Sequence, residues 1–303
     1  MTFLEELKSF LAQAQNGPVA IPENILKEFK EDCGKAVEKQ FTGKRETEFR
    51  IRMSNIGKPL CQLQMEKKHF GDESLKNFEN YNHKLRNLFG DILEAVVVML
   101  LKTVKANIQG LQGDVKLDTE YFDIKGTYDI IIDDKVYDIK SASPFAFEKK
   151  FGEHGGGFDK FVEGDVFGYL SQGYLYSEAT AKPFGGWIVV NKSTGELLLS
   201  SPPEEDEQYR KQAMDTVQKN IKALMKDEPF ERCFELIEES FYQKKTGNKV
   251  LGTVCSFCQY KHKCWGDNLQ YLPQQQSKSK NPKYFWYAEI NNPKENTHEE
   301  SAS

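Results

Sequence analysis

Residues 126–140 read GTYDIIIDDKVYDIK, and the fold turns on how this stretch is read. Two β-branched, apolar runs flank the pair Asp133-Asp134, which predicts strands over Thr127–Ile132 and Lys135–Ile139 joined by a tight hairpin turn. Side chains alternate along a strand, so Asp138 and Lys140 share a face, and hairpin pairing brings Asp129 beside them. An acid following Val136-Tyr137 stands where burial is expected, and an unpartnered buried acid is expensive. The bland reading is an Asp-x-Lys that occurs by accident in a strand. The other is two carboxylates and an ammonium converging at a strand end, a donor set suited to a hard divalent cation.

Upstream, Asp72–Lys105 carries Leu85, Leu88, Phe89, Ile92, Leu93, Val96, Val97 and Leu100 at helical spacing. Glu94 falls inside the apolar run Ile92–Val98, where an acid again calls for a metal or a partner. Residues 3–14 and 22–40 read as an N-terminal helical pair, with Pro22 suited to an opening turn. A further strand is expected around Val115–Tyr121. Downstream come a helix over Lys160–Ala179, a hairpin of Gly185–Val190 with Glu196–Leu199, and a helix over Glu205–Lys226 behind Pro202 and Pro203. This order predicts an α/β fold with a mixed sheet. Beyond Trp265 the sequence turns polar, and Gln274–Lys280 and Asn291–Ser303 are expected to be flexible. The aromatic island Tyr284–Tyr287 in that tail reads as a patch packed on the body, or as a docking motif.

The chain has 303 residues, 39% hydrophobic and 29% charged, a composition expected of a soluble globular protein rather than a membrane-spanning one. Residues 1–15 lack the basic-then-apolar pattern of a secretory signal, so a cytoplasmic location is expected. A net charge of −5 argues against holding nucleic acid by bulk electrostatics. It leaves room for a local basic groove, with Lys44, Arg45, Arg50, Arg52, Lys58, Lys67 and Lys68 as one set of candidates and Lys149, Lys150 and Lys160 as another. The loop Gly152–Gly157 lacks the Gly-Lys-Ser/Thr of a phosphate-binding loop. It reads as a mobile or plain connection, with His154 a minor catalytic candidate.

Of six cysteines, Cys255, Cys258 and Cys264 fall within ten residues, which favours metal or cluster ligation in a reducing compartment over disulfides. A fourth ligand is needed. His262 would complete a Zn²⁺ knuckle and Cys61 would complete an iron–sulfur site, and spacing alone leaves both open. Cys33 and Cys233 are left over.

Gly90-Asp91-Ile92-Leu93-Glu94, Gly126-Thr127-Tyr128-Asp129, Asp138-Ile139-Lys140 and Gln172-Gly173-Tyr174-Leu175-Tyr176 resemble, in order and spacing, the successive motifs of the RecB-like nucleases of the PD-(D/E)XK superfamily. The resemblance covers about residues 50–266. It implies a restriction-endonuclease-like core with a mixed central sheet flanked by helices, preceded by a helical extension over 1–49 and followed by a polar, flexible tail over 267–303. It implies Glu94, Asp129, Asp138 and Lys140 as catalytic residues, and Asp91, Asp129, Asp138 and Ile139 as the metal site. Gln172 and Tyr176 match a helix motif that contacts DNA in the family.

Many members carry a histidine where this chain has Asp91, so the choice between Mg²⁺ and Mn²⁺ stays open. A subgroup that includes CRISPR-associated, AddB-type and phage exonucleases carries one cysteine ahead of the nuclease motifs and three behind. On that pattern Cys61, Cys255, Cys258 and Cys264 would hold a structural [4Fe-4S] cluster.

The implied activity is a metal-dependent exonuclease acting on single-stranded DNA or DNA ends in phage recombination, replication or DNA processing, in the host-cell cytoplasm if phage-encoded. A recombinase, a helicase or a single-strand-binding protein would be its protein partner. The rival readings are a non-catalytic DNA-binding subunit of a recombination complex and a zinc-knuckle interaction protein.

Overall fold

The computed structural model describes residues 2–43, 47–72, 82–152 and 157–291. These form two compact units, one from Met1–Pro59 and His69–Glu228, the other from Leu60–Lys68 and Pro229–Ser303. These boundaries differ from the expected division at residues 49 and 266.

In the first unit a five-stranded sheet runs in the order β1 (Ile108–Asp118), β2 (Asp123–Ile132), β3 (Lys135–Ala142), β4 (Phe184–Asn191), β5 (Leu197–Ser200). Only β3 and β4 pair in parallel, so the sheet is mixed and the architecture α/β. The expected hairpin is present. Asp133 and Asp134 both take positive φ, as a two-residue turn between twisted strands requires.

Helix α1 (Phe3–Asn16) opens with a Thr2–Glu5 capping box. It sends Phe3 and Leu7 into a core shared with Val97, Val98, Leu100 and Leu101 of α4 (Asn82–Thr103) and with Ile130, Ile132, Tyr137, Ile139, Ile188 and Val190 of the sheet. Helix α2 (Glu23–Phe41) packs along α4. The N-terminal helices are therefore part of this unit rather than an appendage to it. Residues 73–81, the start of the long predicted helix, lie outside the described residues, as do Lys44, Arg45 and His154.

A parallel pair needs a crossover. Here it runs through a short turn α5 (Pro144–Ala146), one π-turn (Phe147–Phe151), α6 (Gly157–Glu163) and α7 (Tyr169–Thr180). The single helix expected over Lys160–Ala179 is broken between Gly164 and Gly168. Gly168 takes φ +78, and the Asp165 carboxylate accepts from the N–H groups of Phe167, Gly168, Tyr169 and Leu170, the otherwise unpaired donors that open α7. Gly173 lets α7 lie close on β4, because a Cβ there would meet the Phe184 ring at 2.4 Å. Helix α8 (Glu207–Met225) completes the unit and packs on α7.

The second unit was not legible in outline. It combines helix α3 (Leu60–Lys68), an antiparallel sheet ordered β6 (Ile237–Phe241), β7 (Lys244–Val250), β9 (Tyr284–Glu289), β8 (Gln270–Pro273), and the short helices α9 (Thr253–Phe257) and α10 (Lys261–Trp265). The tail expected to be flexible thus supplies two strands as far as Glu289, while residues 292–303 lie outside the described ones. The aromatic island is β9. Its Tyr287 is buried and donates to the buried Glu239 carboxylate, which also accepts from Thr246 and Asn248. Among the described residues no helix is long and apolar enough to cross a membrane.

Candidate active site

Pairing of β2 with β3 runs from Ile132–Lys135 to Ile130–Tyr137. Just past it, the Ile139 N–H donates to Asp129 Oδ2 at 2.7 Å. Tyr137 and Ile139 belong to the core with α4, and the alternate residues Asp138 and Lys140 take the other face. Lys140 Nζ donates to Asp138 Oδ1 at 2.9 Å and to Gln172 Oε1 at 3.4 Å. It also sits 4.6 Å above the centre of the Tyr169 ring. Asp138 is 1% exposed, and its Oδ2 makes no hydrogen bond although Lys140 Nζ stands 2.7 Å away.

A cleft of about 450 Å³ opens beside these groups, lined by Asp91, Glu94, Gln112, Thr127 and Asp129 and, from α2, by Asp32, Lys35 and Lys39. Burial pushes Asp129 well above the usual carboxylate range, and the neighbouring charges of Asp138 and Glu94 push it further. Glu94 is raised by burial too, against the hydrogen bond from Gln112. Lys140 is raised because Asp138 and Asp129 outweigh the burial that opposes its charge. Like charges held this close repel, and a cation relieves that repulsion.

Gln112 is a residue that sequence reasoning missed. The β1–β2 register passes from Leu111–Ile130 to Gly113–Tyr128 and leaves out Gln112, opposite Asp129. Its φ is +43, a costly backbone for a non-glycine residue and typical of functional sites. Out of the ladder, its Nε2 donates to Glu94 Oε1 at 2.9 Å. Gly110 and Gly113 on either side were the available signal, since glycine inside a strand marks a bulge or close approach.

Lys39 and Gln40 of α2 were missed as well. Lys39 Nζ is 2.8 Å from Asp91 Oδ1, and Gln40 Nε2 donates to Asp91 Oδ2 at 2.6 Å. Both oxygens of the expected ligand Asp91 are therefore engaged within the chain. Gln172 and Tyr176 are 8% and 3% exposed and hydrogen-bond to each other. Neither is offered to solvent as a DNA contact; Gln172 accepts from Lys140, and Tyr176 accepts from Gln172. Ile139 is buried and apolar, so only its carbonyl is chemically able to ligate a metal.

Asp91, Glu94 and Asp129 line the cleft with carboxylate oxygens, the donors that a hard divalent cation takes. Even so, among the described residues no three His, Cys, Asp or Glu side chains stand close enough together to hold a metal ion as they are. The Lys39–Asp91 pair is exposed on the lysine side and is worth at most about 1 kcal/mol. Lys39→Ala is expected to free Asp91 Oδ1 and tighten Mn²⁺ binding up to about fivefold in calorimetric titration. Weaker binding would make Lys39 the residue that holds Asp91 in place.

No family model and no curated protein matches the sequence. A solved structure described as the crystal structure of SSO0001 is similar, with 14% identity and a TM-score of 0.37, over 63% of this chain and 85% of that one. A likeness of that size carries no argument about this protein.

All the cysteines but Cys33 belong to the second unit. The Cys61 N–H donates to Cys233 Sγ at 3.0 Å. The Cys61 thiol is pushed up by its hydrogen bond with Cys233 and by burial. Cys255, Cys258 and Cys264 are raised chiefly by burial, and the three thiols also feel one another or Cys233. Cys233, set aside in the sequence, joins the group. His262 instead lies edge-on to Trp286, ring centres 5.2 Å apart. Of the basic candidates, Arg50 pairs with Glu48 and Lys160 with Glu163, while Lys67 and Lys68 belong to the other unit from Arg50, Arg52 and Lys58.

Proposed function

We propose that the chain is a metal-dependent deoxyribonuclease with a PD-(D/E)XK-type core that acts on single-stranded DNA or DNA ends, exonuclease favoured over endonuclease. The observation that carries this reading is the convergence of Asp129, Asp138 and Lys140 at one strand end, with Glu94 facing the same cleft. Mg²⁺ or Mn²⁺ held by Asp129 and Asp138, with Glu94 beside them, would polarise a phosphodiester and make its attacking water more acidic. Lys140, anchored by Asp138 and Gln172, holds a positive charge where a phosphate oxygen gains negative charge. Gln172 and Tyr176 act by keeping Lys140 in place.

The thiols of Cys61, Cys255, Cys258 and Cys264 support a [4Fe-4S] cluster as a structural staple of the second unit, and Cys233 is an alternative ligand. Their kind favours that group over Zn²⁺ with His262, whose ring lies against Trp286, although among the described residues no three such side chains stand close enough to hold a metal ion as they are. DNA is the proposed partner, with a recombinase, helicase or single-strand-binding protein in a phage recombination, replication or DNA-processing pathway.

The test is degradation of end-labelled linear and circular DNA, single- and double-stranded, with Mg²⁺ or Mn²⁺ and with chelator, alongside iron and sulfide analysis of anaerobically purified protein. Loss of linear DNA with survival of circles is expected, abolished by chelator, together with iron in the protein. The engagement of both Asp91 oxygens favours a second reading, a non-catalytic DNA-binding subunit. DNA binding without cleavage in either metal would put that reading first. Zinc without iron would remove the cluster.

A further inference from the structure

Beside Lys140 lies a pocket of about 190 Å³, smaller than the acidic cleft. Its walls are the end of β3 from Lys140 to Ser143, Lys150, Lys192 just beyond β4, and the α6–α7 connection with Phe167 and Tyr169. It sits at the carboxyl ends of the parallel pair β3–β4, where open α/β sheets commonly receive ligands. Among the described residues no carboxylate pairs with Lys150 or Lys192. Lys192, Ser141 and Ser143 are exposed. Phe167 is 50% exposed, stacks on Tyr169 with ring centres 5.3 Å apart, and carries Lys150 Nζ 5.1 Å from its ring centre.

We propose that this pocket is a nucleotide subsite. It would take the nucleotide flanking the scissile phosphate on a single DNA strand, with its base against Phe167 and its phosphate between Lys150 and Lys192. Three features select that ligand. Two cations without acidic partners suit a phosphate. An exposed aromatic ring on a stacked pair suits a base of any identity. A duplex would keep its bases paired and stacked inside, so only an unpaired strand presents both groups together. The inference rests on the nuclease reading for its direction: Lys140 lines this pocket and donates to Asp138, so a nucleotide seated here delivers the adjoining phosphate to Lys140.

The experiment is a titration of the full chain with a pentanucleotide bearing terminal 2-aminopurine, in chelator so that no cleavage occurs. Steady-state cleavage of the same oligonucleotide with Mn²⁺ is measured alongside. Base stacking on Phe167 is expected to quench 2-aminopurine emission in the wild type, with loss of that quenching in Phe167→Ala and about tenfold weaker binding, within the range of one base–aromatic stack. Lys150→Ala/Lys192→Ala is expected to bind more weakly and to flatten the salt dependence by about one phosphate-contact equivalent. Both variants change exposed or half-exposed side chains and should melt with the wild type. In cleavage they should raise KM while leaving kcat within about twofold, the pattern for lost ground-state binding.

Unquenched binding in the wild type, or equal affinity in all three proteins, overturns the subsite. Quenched, lysine-dependent binding without cleavage by the wild type supports the subsite and removes the nuclease reading instead.

Discussion

Asp129→Asn is expected to abolish DNA cleavage while making the metal-free protein more stable. The two effects share a cause. Asp129 is raised well above the usual carboxylate range by burial and by the charges of Asp138 and Glu94, so its ionised form is disfavoured by the fold. A carboxyl group whose folded pKa lies above its unfolded one costs stability as pH rises through the interval between the two. Metal-free protein should therefore lose stability from about pH 4 upward, and Asp129→Asn should flatten that slope. The amide oxygen can still accept from the Ile139 N–H, so the strand end keeps its geometry.

A gain on the order of 1–2 kcal/mol is expected at neutral pH, in line with neutral replacements of buried charge. That is a rise in Tm of roughly 2–8 °C at the sensitivity typical of a chain this size. Cleavage should fall by about a thousandfold or more, as on removal of a preorganised electrostatic group from an active site. Melting curves against pH, with and without Mn²⁺, check the stability half. A variant less stable than the wild type at neutral pH would show that the Asp129 charge is compensated inside the fold.

Lys140→Met should lose cleavage comparably and move stability in the opposite direction. The methionine fills the lysine's stem volume but leaves Asp138, 1% exposed, without its cation. Breaking one partner of a buried pair costs about 3–5 kcal/mol. The raised folded pKa of Lys140 means the pair's contribution is fully present below the unfolded lysine value and is lost only as pH rises through the folded one, so the deficit should appear across the neutral range. Adding Asp138→Asn to Lys140→Met should recover most of the lost stability and none of the cleavage. If the double variant is no more stable than Lys140→Met, the pair is not coupled and the cost lies in packing.

The strand pair that carries Asp129, Asp138 and Lys140 was legible because a hairpin is a local object: its period, its turn and its acids all lie within fifteen residues. The helices that bury one apolar face were legible for the same reason. Lys39 was not, because it meets Asp91 from 52 positions away and nothing in α2 distinguishes it from the other lysines of a solvated face. Gln112 was hidden by its backbone, since only the three-dimensional register shows it leaving the ladder. The second sheet escaped because β7, KKTGNKV, has no apolar alternation. Its strands are tied by polar side chains around Glu239 that a hydropathy pattern does not register. The break ahead of α7 was readable from Gly164, Asp165 and Gly168, and the helical periodicity on either side masked it.

The second unit takes a nine-residue helix from one part of the chain and the rest from the C-terminal part, so Cys61 and Cys233 meet across 172 positions. On a ribosome this fixes an order of events. The first unit, Met1–Pro59 with His69–Glu228, is complete at Glu228 and can begin to close while the chain is still being made. The thiol group cannot assemble until residues past Cys264 have emerged, and it must then close a loop whose entropic cost grows only slowly with length. Loading of any inorganic centre there is thus a late step of biogenesis, and a chain cut short before Cys255 would hold Asp129, Asp138 and Lys140 without the means to complete its second unit.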